Sequence, residues 1–206
     1  MDIHSLMVEP IGTNCYIVSE GELCAVVDPG GSFPRIIAKL EALGCTPAAI
    51  LLTHSHYDHT GAVAELQEKY PDIPVYRSEL DDYGSDARME ELYPPLENTK
   101  NCEDGDFIQV GPLEFEVIAT PGHTHGGVTF RCGDDLFVGD TLFAGSCGRV
   151  DMPGGDADAM LSSLRRLGQL PEECRVWPGH MEPTTIGKEL HNNPYMQHAL
   201  RGGDWY

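Results

Sequence analysis

The stretch LLTHSHYDHTG, residues 51–61, places His54, His56, Asp58 and His59 within six positions. No other feature restricts the fold as much, because such a cluster has to be held by surroundings that keep its side chains together. The run before it, residues 49–53, is short and apolar and reads as a buried strand. On extended backbone His54 and His56, two apart, share one face and can reach one ion. Asp58 and His59 come where the chain turns into a helix expected over 60–70, and they approach from a different angle, suited to a second ion. Imidazole nitrogen and carboxylate oxygen favour zinc, iron or manganese over calcium or magnesium. The cluster contains no cysteine, which argues against a closed thiolate-rich structural zinc site. The plain alternative is a polar turn in which Asp58 or Thr60 caps the helix. Capping gives no reason for three histidines.

Three later stretches share one form: a strand that ends in a Gly or Pro turn with a ligand-type residue exposed. They are TPGHTHGG with His123, FVGDTLF with Asp140 and VWPGH with His180. Glycine lets the backbone approach a crowded centre at unusual dihedrals. Each stretch is weak evidence alone. Jointly they supply what two ions need, since one aspartate can bridge two cations and two more histidines complete the shells. Tyr57 is read as a cover over the cluster and His125 as an outer or exposed histidine.

Alternation and β-branched residues mark strands at 3–8, 15–19, 23–28, 75–77, 107–110, 113–120, 128–132, 136–139 and 175–177. Helical spacing marks 33–43, stopped by Gly44, together with 157–167 and 185–191. Residues 78–105 are polar and read as a helix plus an irregular excursion. Such an order points to mixed sheets covered by helices, an α/β or α+β arrangement. The length, 206 residues, suits a single domain spanning 1–206. The chain has 13 Lys plus Arg against 33 Asp plus Glu, a formal charge of −20. That field repels phosphate backbones and anionic membranes, so neither nucleic acid nor membrane is expected as a partner. No apolar run approaches the roughly 18–20 residues of a membrane helix, and the start shows no signal-peptide pattern. A cytoplasmic location is the expectation. Seven cysteines, without a CxxC pair, do not form a disulfide framework. They read as small buried hydrophobes. Oligomeric state is not legible.

The motifs VVDPGG (Asp28), THSHYDH, PGHTHGG, GDTLF and PGH, in this order, resemble the metallo-β-lactamase superfamily over almost the whole chain. The resemblance implies a four-layer αββα sandwich with the metals at one edge of two mixed sheets. It implies that His54, His56 and His123 hold the first ion, that Asp58, His59 and His180 hold the second, and that Asp140 bridges them. Asp28 would orient the loop that carries the ligands. Zinc is the first expectation for both ions, with iron or manganese as alternatives. Within the superfamily, LFAGSCGRVD is similar to glyoxalase II, which hydrolyses S-acylglutathione thioesters, and the ending PGHMEPTTIGKELHNNPYM is similar to a short bacterial group of that kind. A small thioester such as S-lactoylglutathione is the substrate so implied, attacked by a water that two cations acidify. Asp58 and Asp140 would serve the catalysis, and Arg149 would steer a substrate carboxylate; the plain alternative for Arg149 is a surface ion pair with Asp151. The extra C-terminal helical domain of glyoxalase II is expected to be lacking here. A persulfide dioxygenase with one iron shares the same motifs and stays open, as does a hydrolase of other esters or lactones. A non-catalytic metal-binding module would be expected to lack a ligand.

Overall fold

The computed structural model describes residues 1–83 and 89–202. Its strands gather into two six-stranded sheets and one small ribbon. The first sheet runs in chain order through β1 (Asp2–Val8), β2 (Thr13–Glu20), β3 (Leu23–Val27), β4 (Thr46–Leu51), β5 (Val75–Arg77) and β6 (Thr99–Asn101). β1, β2 and β3 pair antiparallel, and β3 to β6 run parallel. The second sheet contains β7 (Phe107–Val110), β8 (Leu113–Ala119), β9 (Val128–Cys132) and β10 (Asp135–Gly139). The ribbon of β11 (Leu142–Phe143) and β12 (Ser146–Cys147) follows, and β13 (Arg175–Pro178) and β14 (Thr184–Thr185) complete the second sheet in the order β14-β13-β10-β9-β8-β7. The helices are α1 (Phe33–Leu43), α2 (Tyr57–Thr60), α3 (Val63–Lys69), α4 (Ala157–Leu167), α5 (Ile186–Asn192) and α6 (Pro194–Leu200).

The layering follows from the two-residue period of the strands. Tyr16 and Val18 of β2, Ala25 and Val27 of β3, and Ala49 and Leu51 of β4 face Phe115, Val117, Phe130 and Phe137 of the second sheet. The alternate residues, Cys15 and Ile17, Cys24 and Val26, and Ile50, turn to the other side and pack with Ile36 and Leu40 of α1 and Val63 and Leu66 of α3. On the far side Leu136 and Val138 of β10 pack with Met160, Leu161 and Leu164 of α4 and Met196 of α6. Three apolar layers between four layers of structure make the expected αββα sandwich. Both faces of the central strands are covered, which is why β4 reads as an apolar run and not as an alternation, and why β2 is buried at all but its last residue.

Five strands, β3, β4, β8, β10 and β13, end in the loops that carry the motif residues. β3 and β4 are parallel, as are β10 and β13, and β8 runs in the direction of β10 because both pair antiparallel with β9. Their C-terminal ends deliver Asp28, His54, His123, Asp140 and His180 to one edge of the sandwich, the usual place for a site in open α/β sheets.

The helix expected over 60–70 is broken. α2 ends at Thr60 and α3 starts at Val63 because the Pro29 carbonyl accepts the Ala62 N–H at 2.8 Å. Gly61 lies so close to Gly30 that a Cβ there would overlap the Gly30 carbonyl. Neither Asp58 nor Thr60 caps α2, whose N-cap is His56; the Thr60 hydroxyl donates back to the His56 carbonyl at 3.1 Å. Over 78–105 the described residues form only a 3₁₀ turn, Glu79–Asp81, and the short β6; residues 84–88 lie outside the described residues. α6 was not expected, although Asn193 caps it by accepting from Tyr195 and Met196 N–H at 3.0 and 3.1 Å, and Pro194 occupies its first turn. The seven cysteines are free and all but Cys147 are buried. Among the described residues no helix is long and apolar enough to cross a membrane.

Candidate metal centre

At the sandwich edge His54 Nε2 lies 3.1 Å from His56 Nδ1, which lies 3.0 Å from His123 Nε2. Buried imidazole nitrogens converge this closely around one cation with bonds of about 2.0–2.1 Å. Beside them, Asp58 Oδ2 is 3.4 Å from His59 Nε2 and 3.2 Å from His180 Nε2. Asp140 faces both groups. Its Oδ1 is 3.5 Å from His59 Nε2, and its Oδ2 is 3.5 Å from His123 Nε2 and 3.6 Å from His180 Nε2. Three overlapping triads with metal-ligand spacing result: His54–His56–His123, His54–His59–Asp140 and Asp58–His59–His180.

The donor set fits divalent cations. Among the described residues His59 Nε2 and Asp140 Oδ1 are buried without a hydrogen-bond partner, as are His56 Nε2 and Ser55 Oγ. An unsatisfied buried polar atom costs about 1–3 kcal/mol. For His59 Nε2 and Asp140 Oδ1, which face each other across the centre, a cation removes that cost. The chemistry is nitrogen and carboxylate without thiolate, as the zinc and iron preference requires.

Neighbouring groups fix the orientation of His59, His123 and Asp58. The Asp28 carboxylate accepts from Thr53 N at 2.8 Å, from Thr53 Oγ1 at 2.6 Å and from His59 Nδ1 at 2.9 Å. A carboxylate can only accept here, so His59 keeps a proton on Nδ1 and turns Nε2 to the centre. Asp28 itself sits at φ 49, an uncommon conformation at a strand end. His123 Nδ1 donates to the Arg149 carbonyl at 2.8 Å, which fixes its tautomer in the same way. Thr13 Oγ1 donates to Asp58 Oδ2 at 2.7 Å. Asp81, 2% exposed, accepts from Ser55 N at 3.1 Å, Thr124 Oγ1 at 2.9 Å and Gly126 N at 2.6 Å. It thereby ties the loop of His54 and His56 to the loop of His123. Gly179 must be glycine because a Cβ would overlap the Asp140 carboxylate and the His59 ring.

The electrostatics divide the ligands. Burial, reinforced by the surrounding imidazoles, pushes His54 well below the usual histidine range. Burial and then His123 push His56 down to about 3. For His59 burial works downward, but Asp28, Asp140 and Asp58 outweigh it and lift the ring to about 9. His180 is raised as well, with Asp58 and Asp140 overcoming burial. Burial pushes Asp58 up, yet the bond from His180, the His59 charge and Thr13 together hold it well below the carboxylate range.

All seven residues expected as ligands are brought together, and Asp28 sits behind His59 and Thr53. Arg149 lines the cleft over the centre, but its guanidinium makes a bidentate pair with Asp151 at 2.7 and 2.9 Å and is 62% exposed. Its carbonyl is the part that touches a ligand. Tyr57 lines the same cleft and is partly exposed. His125 is exposed and lines a different pocket, with Nδ1 3.5 Å from Tyr83 Oη. Sequence reading missed Thr13, Thr53 and Asp81. Thr53 carries a signal in its position next to His54. Thr13 and Asp81 carry none, since their partners lie 45 and 26 or more residues away.

The profile of the Metallo-beta-lactamase superfamily matches residues 8–180, and the chain belongs to that superfamily. The probable metallo-hydrolase YqgX of Bacillus subtilis (strain 168) is 38% identical over 200 residues, covering 92% of this chain and 94% of its own. The hydroxyacylglutathione hydrolase of Thermosynechococcus vestitus is 44% identical over 158 residues, 76% of this chain. The chain spans only 58% of the length of that relative. Among solved structures, TTHA1623 in a di-iron-bound form is 41% identical with a TM-score of 0.82, covering 93% of this chain and 99% of that one. ETHE1 from Myxococcus xanthus is 28% identical with a TM-score of 0.81, covering 97% and 90%. The superfamily is one of metallo-hydrolases, and the His/Asp cluster is its metal-binding centre in this chain.

Proposed function

We propose that this chain is a metal-dependent thioester hydrolase with two divalent ions, zinc or iron. The observation that carries this reading is the shared Asp140 carboxylate, which faces both an all-imidazole group and a mixed Asp–His group. The 44% identity to a hydroxyacylglutathione hydrolase and the di-iron form of TTHA1623 support it. When bound, a pair of cations supplies Lewis acidity that ionises water near neutral pH and polarises a carbonyl. The chain's own residues do the rest. Asp28 and the Arg149 carbonyl keep His59 and His123 in the tautomers that offer a lone pair to the centre. Thr13 holds Asp58 in place and adds to the effect of His180 and His59 in keeping it ionised. A thiol leaving group departs as thiolate, so the site needs no strong general acid.

The test follows thiol release from S-lactoylglutathione and from uncharged thioesters by metal-loaded protein, with dissolved oxygen recorded in the same cuvette. Thiol release without oxygen uptake is the expected result. A second reading, a persulfide dioxygenase, is favoured by the likeness to ETHE1. Oxygen uptake with a persulfide, in the absence of any thioester turnover, would replace the first reading by the second.

A further inference from the structure

The cleft above the metal ligands has a volume of about 590 Å³. Its upper walls are formed by Ile11, Tyr57, Leu92, Phe143, Met152 and Met181. Ile11, Tyr57 and Met181 are 58%, 37% and 55% exposed. Large apolar side chains left in water around a polar centre mark a binding surface, and methionine adapts to varied apolar shapes. Met181 carries a second mark. Its backbone sits at φ 69, where a non-glycine residue is uncommon. Buried Asn14 holds it there, its Nδ2 donating to the carbonyl of Met181 at 2.9 Å and to that of Pro178 at 3.1 Å. Tyr16 Oη also donates to Pro178 O, at 2.7 Å. Glycine would take this conformation without strain. A methionine kept in it by dedicated hydrogen bonds, next to His180, points to a use for its side chain.

Charge in the cleft points the same way. The Arg149 guanidinium, which could clamp a substrate carboxylate, is already occupied by both oxygens of Asp151. The chain's formal charge of −20 also repels anions.

We propose that the site selects thioesters with an uncharged, apolar group beside the scissile bond, and that Met181 and Ile11 recognise that group. This rests on the thioester reading. Water adds its oxygen to the acyl carbon, the C–S bond breaks, and the products are a carboxylate, a thiol and one proton. The apolar group itself lies on Met181 and Ile11, with Asn14 as the positioning residue.

The test reads binding and not turnover. Cobalt-loaded protein is titrated with benzyl mercaptan and, separately, with glutathione, following the thiolate-to-cobalt absorption band. Benzyl mercaptan should bind at least about tenfold more tightly, the usual size of one apolar contact. Met181→Gly, which relieves the backbone and should melt no lower than the parent, should lower the ratio several-fold, the part left being that of Ile11 and the charge. Met181→Lys should reverse it. Equal or tighter glutathione binding to the parent protein, or a ratio that survives Met181→Gly, overturns the proposal. A protein that ranks the thiols as expected yet releases no thiol from any thioester would instead overturn the thioester reading.

Discussion

The two halves of the centre hold protons in opposite ways. His54 and His56 sit among other imidazoles under full or nearly full burial, and they are neutral down to low pH, about 3 for His56. His59 and His180 sit among Asp28, Asp58 and Asp140 and are raised, to about 9 for His59. The first half is therefore ready for a cation as it stands. The second half binds a proton where the cation belongs and has to release it. The difference lies in the carboxylates. In the metal-free protein a buried imidazole among imidazoles avoids charge, whereas one among carboxylates takes it up.

The largest expected effect removes what the halves share. Asp140→Ala should lower thiol release by about 10³-fold or more; turnover that survives would show that the halves work independently. Next come two variants that separate them. Asp28→Asn should weaken the ion at Asp58–His59–His180 by about 10–100-fold, and Asp81→Asn the ion at His54–His56–His123 by a similar factor. Competition with a chelator resolves the two affinities, and both variants weakening the same ion would break the comparison. The pH dependence is smaller when taken per pH unit. In metal-free protein His59 keeps its proton at pH 7, so loading of the second ion should release about one proton and tighten about tenfold per pH unit up to about 9. The same proton stabilises the metal-free fold. That contribution is whole below the ordinary histidine value and is lost as pH rises through about 9. A pH-independent affinity for the second ion, measured by calorimetry from pH 6 to 9, would count against the assignment. Smallest is Thr13→Val, which removes one donor from Asp58 and should weaken the second ion about fivefold, about 1 kcal/mol.

The contrast also marks what could be read before the fold was known. The strands were legible where one face or both carry apolar residues at the period of two; 75–77, 107–110 and 128–132 match their observed limits. The helix 60–70 was not, because its break at Gly61 and Ala62 depends on the Pro29 carbonyl, 33 residues away from the Ala62 N–H that it accepts. Of the small strands, β6 (Thr99–Asn101) carries no apolar residue, and β11, β12 and β14 have two residues each, too few for a period to show. Of the site, the seven candidate ligands stood in recognisable motifs. For Arg149 the sequence left two partners open, a substrate carboxylate and Asp151; in the structure its guanidinium lies on Asp151 and its carbonyl serves His123.

By itself the sequence determined which residues gather at the sandwich edge, because ligand chemistry needs particular side chains and the strand ends that carry them are written in local apolar patterns. Only the tertiary structure decided which ligands lie beside carboxylates and which beside imidazoles, and so which half binds protons. It also decided that Asp81 and Thr13 brace the centre and that Asn14 holds Met181 at the lip of the cleft. Those are contacts between distant parts of the chain, made by single side chains through hydrogen bonds and burial, and no local period or spacing records them.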